Sequence, residues 1–384
     1  MGSTKVRVEG TFMKFFSISI ACGLLLLISC NKDSTENPTI DEAINLTLIG
    51  EDLDKVYQYD YNSDTDVGFQ TDLSSELGIT NYYLTLRQLG NTLSFFTFSN
   101  GAISLHQKDL ITSGITMYPD FYNITSERSL VWGLSNENSV YFGLYKPFGS
   151  TNLALRIVDL ETLEGFDLAI EFGIDQLFQP LYHDGKLIIT YRTGDGEYKI
   201  IIFDTLTDVI AKTLELKSSK PSVLITEDGE LAIFTQNDKE NTVLELFDMV
   251  NLISISKNEL QFDHHFPTGP INGTLAVGKL YYEYTYPQPF SLVKGPAIFD
   301  ISTGTNTVLD LSGTIEKLNS EKSLNIQPIL GQYLPGKNVF AISYTLPNGE
   351  IDEPGGFLLI STDGKLKAQK NLNFVPTYFV DQGL

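Results

Sequence analysis

From Ile44 onward the chain is written in short apolar runs of Val, Ile, Leu, Phe and Tyr, alternating or solid, each bounded by clusters of Gly, Asn or Asp. Alternation suits a strand covered on one face and a solid run suits a strand covered on both, so the pattern predicts strands joined by turns. Asp184-Gly185, Asp228-Gly229, Asn348-Gly349 and Asp363-Gly364 each fall between two such runs. These pairs suit tight hairpins because both residues accept positive φ. No apolar stripe at i, i+3, i+4, i+7 runs far enough to predict a helix. The expected class is all-β.

A weak internal repeat refines that expectation. Residues 156–168, 201–214, 245–258 and 297–311 each read as an apolar run, an aspartate, a few turn residues and a second apolar run, and Asp159, Asp204, Asp248 and Asp300 lie 45, 44 and 52 residues apart. Degenerate copies occur at 56–66, 95–106 and 357–369. A period near 45 with about four strands per unit is that of a β-propeller blade, and six or seven units close a ring. The reading is therefore a propeller of six or seven four-stranded blades over residues 44–384. One unit cannot bury both faces of its sheet, so neighbours must stack and the ends must meet. Residues 44–50 or the tail 373–384 are expected to supply the closing strand. The competing fold is a pair of β-sandwiches, which requires turns every 8–12 residues without a longer period. The repeated aspartates read as structural, each carboxylate accepting backbone N–H groups two or three residues on.

The repeat resembles that of propeller domains whose blades end in a V-x-D-x-x-T-G hairpin, and the chain is similar to the poorly characterised propeller lipoproteins of Bacteroidota-type envelopes. The likeness covers roughly residues 44–384; the aspartates match, whereas a glycine follows threonine only at Gly304. It carries no active-site residue across.

The N-terminal texture differs. Lys14 precedes an apolar run of about 14 residues, Phe15 to Ile28, and Ser29 then stands before Cys30. Such a run is short of the ~20 residues a spanning helix needs. Leu27-Ile28-Ser29-Cys30 resembles the lipobox of bacterial lipoproteins, which implies removal of residues 1–29, acylation of Cys30 by palmitate-type chains and anchoring in the outer membrane. Residues 1–12 are unlike a signal start, so Met13 reads as the natural first residue. Residues 30–43 are polar and proline-containing, a tether between lipid and domain. Lys32-Asp33 matches half of the surface-export pattern that this resemblance brings, which leaves the periplasmic and cell-surface faces both open. An ordinary apolar N-terminal helix with a chance cysteine is the plainer alternative.

With 48 acidic against 26 basic residues, a net charge of −22, the chain lacks the positive footprint that nucleic acid requires. Its two cysteines are Cys22 and Cys30. One is lost with the signal and the other is acylated, so thiolate chemistry and disulfides are excluded from the folded part.

Three stretches carry candidate chemistry. Asp60, Asn62, Asp64 and Asp66 alternate as in calcium loops of the D-x-D-x-D-G kind, although Thr65 replaces the glycine and Thr71 stands at the twelfth position. A solvated acidic turn is the other reading. His264 and His265 are adjacent, so on a strand they point apart, and a shared metal would need His106 or His183. Tyr282, Tyr284 and Tyr286 fall on one face of a strand, with Tyr281, Glu283 and Thr285 on the other. Those tyrosines and histidines form the candidate ligand surface, against the reading of packing between blades, and Trp132 reads as core. No Gly-x-Ser-x-Gly elbow, phosphate loop, dinucleotide fingerprint or His-Glu-x-x-His occurs. The sequence thus favours a non-enzymatic module binding a ligand, an envelope protein or a glycan, with calcium as the one cofactor it admits. A propeller hydrolase or lyase acting on glycans or lactones, and a structural subunit of an envelope complex, are the alternatives.

Overall fold

A computed structural model describes residues 43–380 apart from 238, 263 and 348–353. Cys30, the signal, nearly all of the tether and the Asn348-Gly349 turn lie outside the described residues. Seven antiparallel sheets follow one another along the chain as the blades of a propeller. Blade 1 comprises Thr85–Leu89, Thr92–Ser99, Ala102–Asp109 and Ile115–Asn123, and blade 2 comprises Ser129–Ser135, Ser139–Tyr145, Leu153–Asp159 and Gly165–Glu171. In blade 3 the first strand is split into Ile174–Leu177 and Leu181–His183, both paired with Lys186–Thr193, before Tyr198–Asp204 and Val209–Lys217. Blade 4 runs Ser222–Ile225, Leu231–Gln236, Thr242–Asp248 and Ile253–Leu260, and the short strand Gly269–Pro270 adds in parallel to its first strand. Blade 5 is Gly273–Ala276, Lys279–Thr285, Lys294–Asp300 and Thr305–Val308; blade 6 is Gln327–Leu334, Val339–Thr345, Gly355–Ser361 and Leu366–Leu372.

Blade 7 closes the ring. Val375–Val380 pairs antiparallel with Asn45–Glu51, which continues into Val56–Asn62 and Val67–Asp72. Both candidate closing segments are used, each against the other. The register shifts between Ile49 and Gly50, where a Cβ on Gly50 would lie 2.3 Å from the Phe374 ring, so the tail approaches because no side chain stands there.

The core is seven apolar clusters, one between each pair of neighbouring blades. This explains the solid apolar runs of the middle strands: in Ile200-Ile201-Ile202-Phe203, Ile201 and Phe203 pack toward blade 2 while Ile200 and Ile202 pack toward blade 4. The fourth strands are mostly exposed, hence their polar character. Two β-sandwiches would give two cores, so that alternative falls.

Each repeat aspartate ends a third strand and closes the turn to the fourth. The Asp159 carboxylate accepts the N–H of Glu161 at 3.0 Å and of Thr162 at 2.7 Å; Asp204, Asp248 and Asp300 do the same two and three residues on. Asp109 is a fifth example, accepting Ile111 and Thr112 at 2.9 and 2.6 Å. The segment 95–106 is therefore the hairpin of strands two and three of blade 1 rather than a copy of the aspartate turn. Of the three described Asp-Gly pairs, Asp184-Gly185 has both residues at positive φ, whereas the other two use it only at the glycine.

Helix α1, Leu73–Leu77, and helix α2, Leu311–Lys322, were not expected. In α2, Leu311, Ile315 and Leu318 are buried at i, i+4 and i+7, and the Asp310 side chain caps Gly313. Only three apolar residues in twelve positions mark the inward face, which is too sparse a stripe to stand out among strands. Among the described residues no helix is long and apolar enough to cross a membrane.

Candidate functional site

The strand Lys279–Thr285 decides the geometry of the site, because it is the second strand of blade 5 and presents alternate side chains to two neighbours. The face carrying Tyr282 and Tyr284 turns toward blade 4. Tyr282 is 2% exposed, with its hydroxyl donating to the Asn306 side-chain oxygen at 3.1 Å. His264 lies among these rings, 4.9 Å from Phe266, 5.0 Å from Tyr282 and 5.6 Å from Tyr284. Tyr286 extends the array, 5.5 Å from Tyr284 and stacked on Phe290 at 4.4 Å. The structure thus brings together four of the five proposed ligand residues, as an aromatic array between blades that includes the buried Tyr282. His265 stands apart, exposed, with a ring nitrogen 2.5 Å from the Gln236 side-chain nitrogen.

The opposite face holds the larger opportunity. Tyr281 stacks on Tyr333 of blade 6, with ring centres 3.8 Å apart and planes 3° apart. Over this pair opens a cleft of about 640 Å³ between blades 5 and 6, walled by Leu292, Pro296, Ile326, Pro328 and Leu330. Burial, and then the neighbouring Tyr281, push the Tyr333 hydroxyl well above the usual tyrosine range. Glu283 accepts the Gly331 N–H at 2.8 Å and binds Lys294 at 3.2 Å, while the Asn272 amide donates to the Gly331 carbonyl at 2.6 Å. These polar groups therefore clamp both backbone groups of Gly331 in blade 6, and the rest of the lining is mostly apolar, with Ser291 and Gln327 as further polar groups. Val293 and Ile329 line the same cleft and are 65% and 52% exposed.

The acidic stretch at 60–66 forms the last hairpin of blade 7. Asp60 accepts the Thr47 hydroxyl at 2.6 Å and the Gln58 amide at 2.9 Å; Asp66 accepts the Tyr61 hydroxyl at 3.0 Å and pairs with Lys370 at 2.7 Å. Asn62 accepts the Thr65 N–H at 3.0 Å, the role that aspartate plays in other blades. Asp64 is exposed. His106 holds the Leu77 carbonyl through Nδ1 at 2.7 Å, and burial lowers its pKa despite that bond. Among the described residues no group of three or more His, Cys, Asp or Glu is placed to hold a metal ion. Trp132 is 3% exposed and belongs to the core between blades 2 and 3.

Sequence reasoning placed Tyr281 on the face opposite its candidate surface and missed the cleft. Half of the cleft comes from the loop and first strand of another blade, residues 326–331, whose Ile-Gln-Pro-Ile-Leu-Gly texture reads as one more strand.

No protein-family model matches the sequence, and no curated protein matches it. Among solved structures, a prolyl endopeptidase shares 11% identity at a TM-score of 0.48, covering 76% of this chain; the chain spans only 43% of that protein. A putative 6-phosphogluconolactonase from Bacteroides fragilis shares 12% identity at a TM-score of 0.49, covering 90% of this chain and 100% of the other. The β-propeller domain of the Trilobed protease from Pyrococcus furiosus shares 10% identity at 0.40, covering 79% and 95%. Identities this low, with TM-scores below 0.5, transfer no function to this chain.

Proposed function

We propose that this protein is an envelope lipoprotein, moored to the outer membrane through acyl chains on Cys30, whose propeller binds a ligand or partner protein in the cleft between blades 5 and 6 without transforming it. The observation that carries the reading is the 640 Å³ cleft itself, with an apolar wall, an aromatic floor and a few fixed polar groups. That volume and makeup are those of ligand pockets. Glu283 is engaged in joining blade 5 to blade 6 and Lys294 is paired with it within blade 5, so they support binding rather than acid–base chemistry. A glycan fragment or an extended peptide, laying a ring or side chain against the apolar wall, fits such a surface. The anchor is supported by the short apolar run and the Leu-Ile-Ser-Cys end of the leader.

The full chain carrying Cys30→Ser, screened by thermal shift against glycan fragments, peptides, Ca²⁺ and EDTA, tests the cleft. Stabilisation by a glycan or peptide that disappears in Ile329→Asp is the expected result. No shift with any of them would leave the scaffold reading in its place. The intact mass of protein extracted from bacterial membranes tests the anchor: acylated Cys30 at the amino end is expected, and an unprocessed, unlipidated chain inside the cell would overturn it.

A further inference from the structure

A second site, independent of the cleft, follows from an arginine without an acid. Four arginines fall among the described residues. Arg128 and Arg156 both bind Asp167 at 2.9 Å, and Arg192 binds Asp175 at 2.7 Å. Arg87, on the first strand of blade 1, gives one guanidinium N–H to the side-chain oxygen of Gln179 in blade 3, and its Nε is buried with no partner. Blades 1 and 3 are not neighbours, so this bond links the two blades that flank blade 2. Burial pulls Arg87 below the usual arginine range, opposed only by the Tyr378 phenol. In a chain with 48 acidic residues, a half-buried guanidinium with no carboxylate partner is a cost that an external anion would offset.

Arg87 and Gln179 line a pocket of about 200 Å³ whose other walls include Phe96, Ile103, Leu130 and Phe142. Bare phosphate or sulfate would gain nothing from those rings and aliphatic groups, and the volume is too small for a folded segment. We infer that this pocket binds the carboxylate of a small apolar organic acid, the guanidinium of Arg87 holding the carboxylate and the accessible side chains of Leu84, Leu130 and Val131 holding the hydrocarbon body. Arginine suits the role because its planar fork matches the two carboxylate oxygens.

The test uses the full chain carrying Cys30→Ser, titrated with 4-phenylbutyrate, 4-methylpentanoate and their primary amides, followed by calorimetry and by the fluorescence of Trp132, which lines the same pocket and is the chain's single tryptophan. At least one acid is expected to bind about tenfold or more tighter than its amide, and Arg87→Met is expected to bring acid and amide to the same level. An acetylated dipeptide ending in phenylalanine, as acid and as amide, separates a chain end from a free acid as the source. Equal binding of acids and amides, no binding of any, or an acid preference that survives Arg87→Met overturns the inference. Should Arg87→Met fail to fold, the acid-against-amide comparison still decides, and Leu130→Trp, which fills the pocket, must abolish the preference.

Discussion

Tyr281 and Tyr333 lie parallel at 3.8 Å although they belong to different blades, so the floor of the cleft is also a joint between blades 5 and 6. Tyr333→Ala should cost about 3 kcal/mol of stability. In a double-mutant cycle with Tyr281→Ala, the pair should show a coupling of about 0.5–1.5 kcal/mol. Chemical denaturation measures both, and additive losses would mean that the stacked geometry contributes nothing of its own.

The closing strand should control cooperativity. Phe374 and Phe379 are fully buried against blades 6 and 7, so Phe379→Ala should cost about 3–5 kcal/mol. Deleting residues 375–384 should broaden the denaturation transition into separate phases as the ring opens. A truncated chain that unfolds in one transition at the original midpoint would contradict the closure described above.

Asp167 should make the fold acid-sensitive. Burial alone would raise its pKa, but hydrogen bonds from Lys146, Arg156 and Arg128 outweigh that and bring it to about 2. The unfolded chain holds this proton more tightly than the folded one, so the stabilisation is complete above roughly pH 4 and is lost as pH falls toward 2. Near neutral pH, Asp167→Asn should be less stable by about 1–3 kcal/mol. The gap between variant and parent, measured by urea titration, should narrow as pH falls below 4.

Turn aspartates should behave alike, including the one outside the original repeat. Asp109, Asp159 and Asp248 are each held below the usual carboxylate range by backbone hydrogen bonds in their turns. Alanine at any of the three should lower the melting temperature by similar small amounts, whereas Asp64→Ala, on an exposed position of the blade 7 turn, should leave it unchanged. A larger loss at Asp64, or a Ca²⁺-dependent one, would restore the calcium reading of residues 60–66.

The architecture was legible because each blade repeats the same local solution: two solid apolar strands in the middle and an aspartate at a fixed turn. Seven blades were harder to count, since in the last two the turn is held by Asn62, which accepts the N–H three residues on, and by the Ser361 hydroxyl, which accepts the N–H four residues on, in place of the aspartate. The aromatic array was legible in part, because period-two alternation is local; Tyr282 and Tyr284 do share a face. What alternation cannot tell is which face meets an open space. That depends on how far the next blade stands away, and at blades 5 and 6 the separation is set by a helix and a loop that carry almost no periodic signal.

Because Val375–Val380 completes a sheet begun by Asn45–Glu51, a growing chain carries an unpaired strand edge from its first blade until its last has been made. Throughout that interval the naked edge is a template for any other extended segment. The native partner reaches it only after six blades of intervening chain, so the molecule's greatest exposure to misassembly belongs to its synthesis rather than to its mature life.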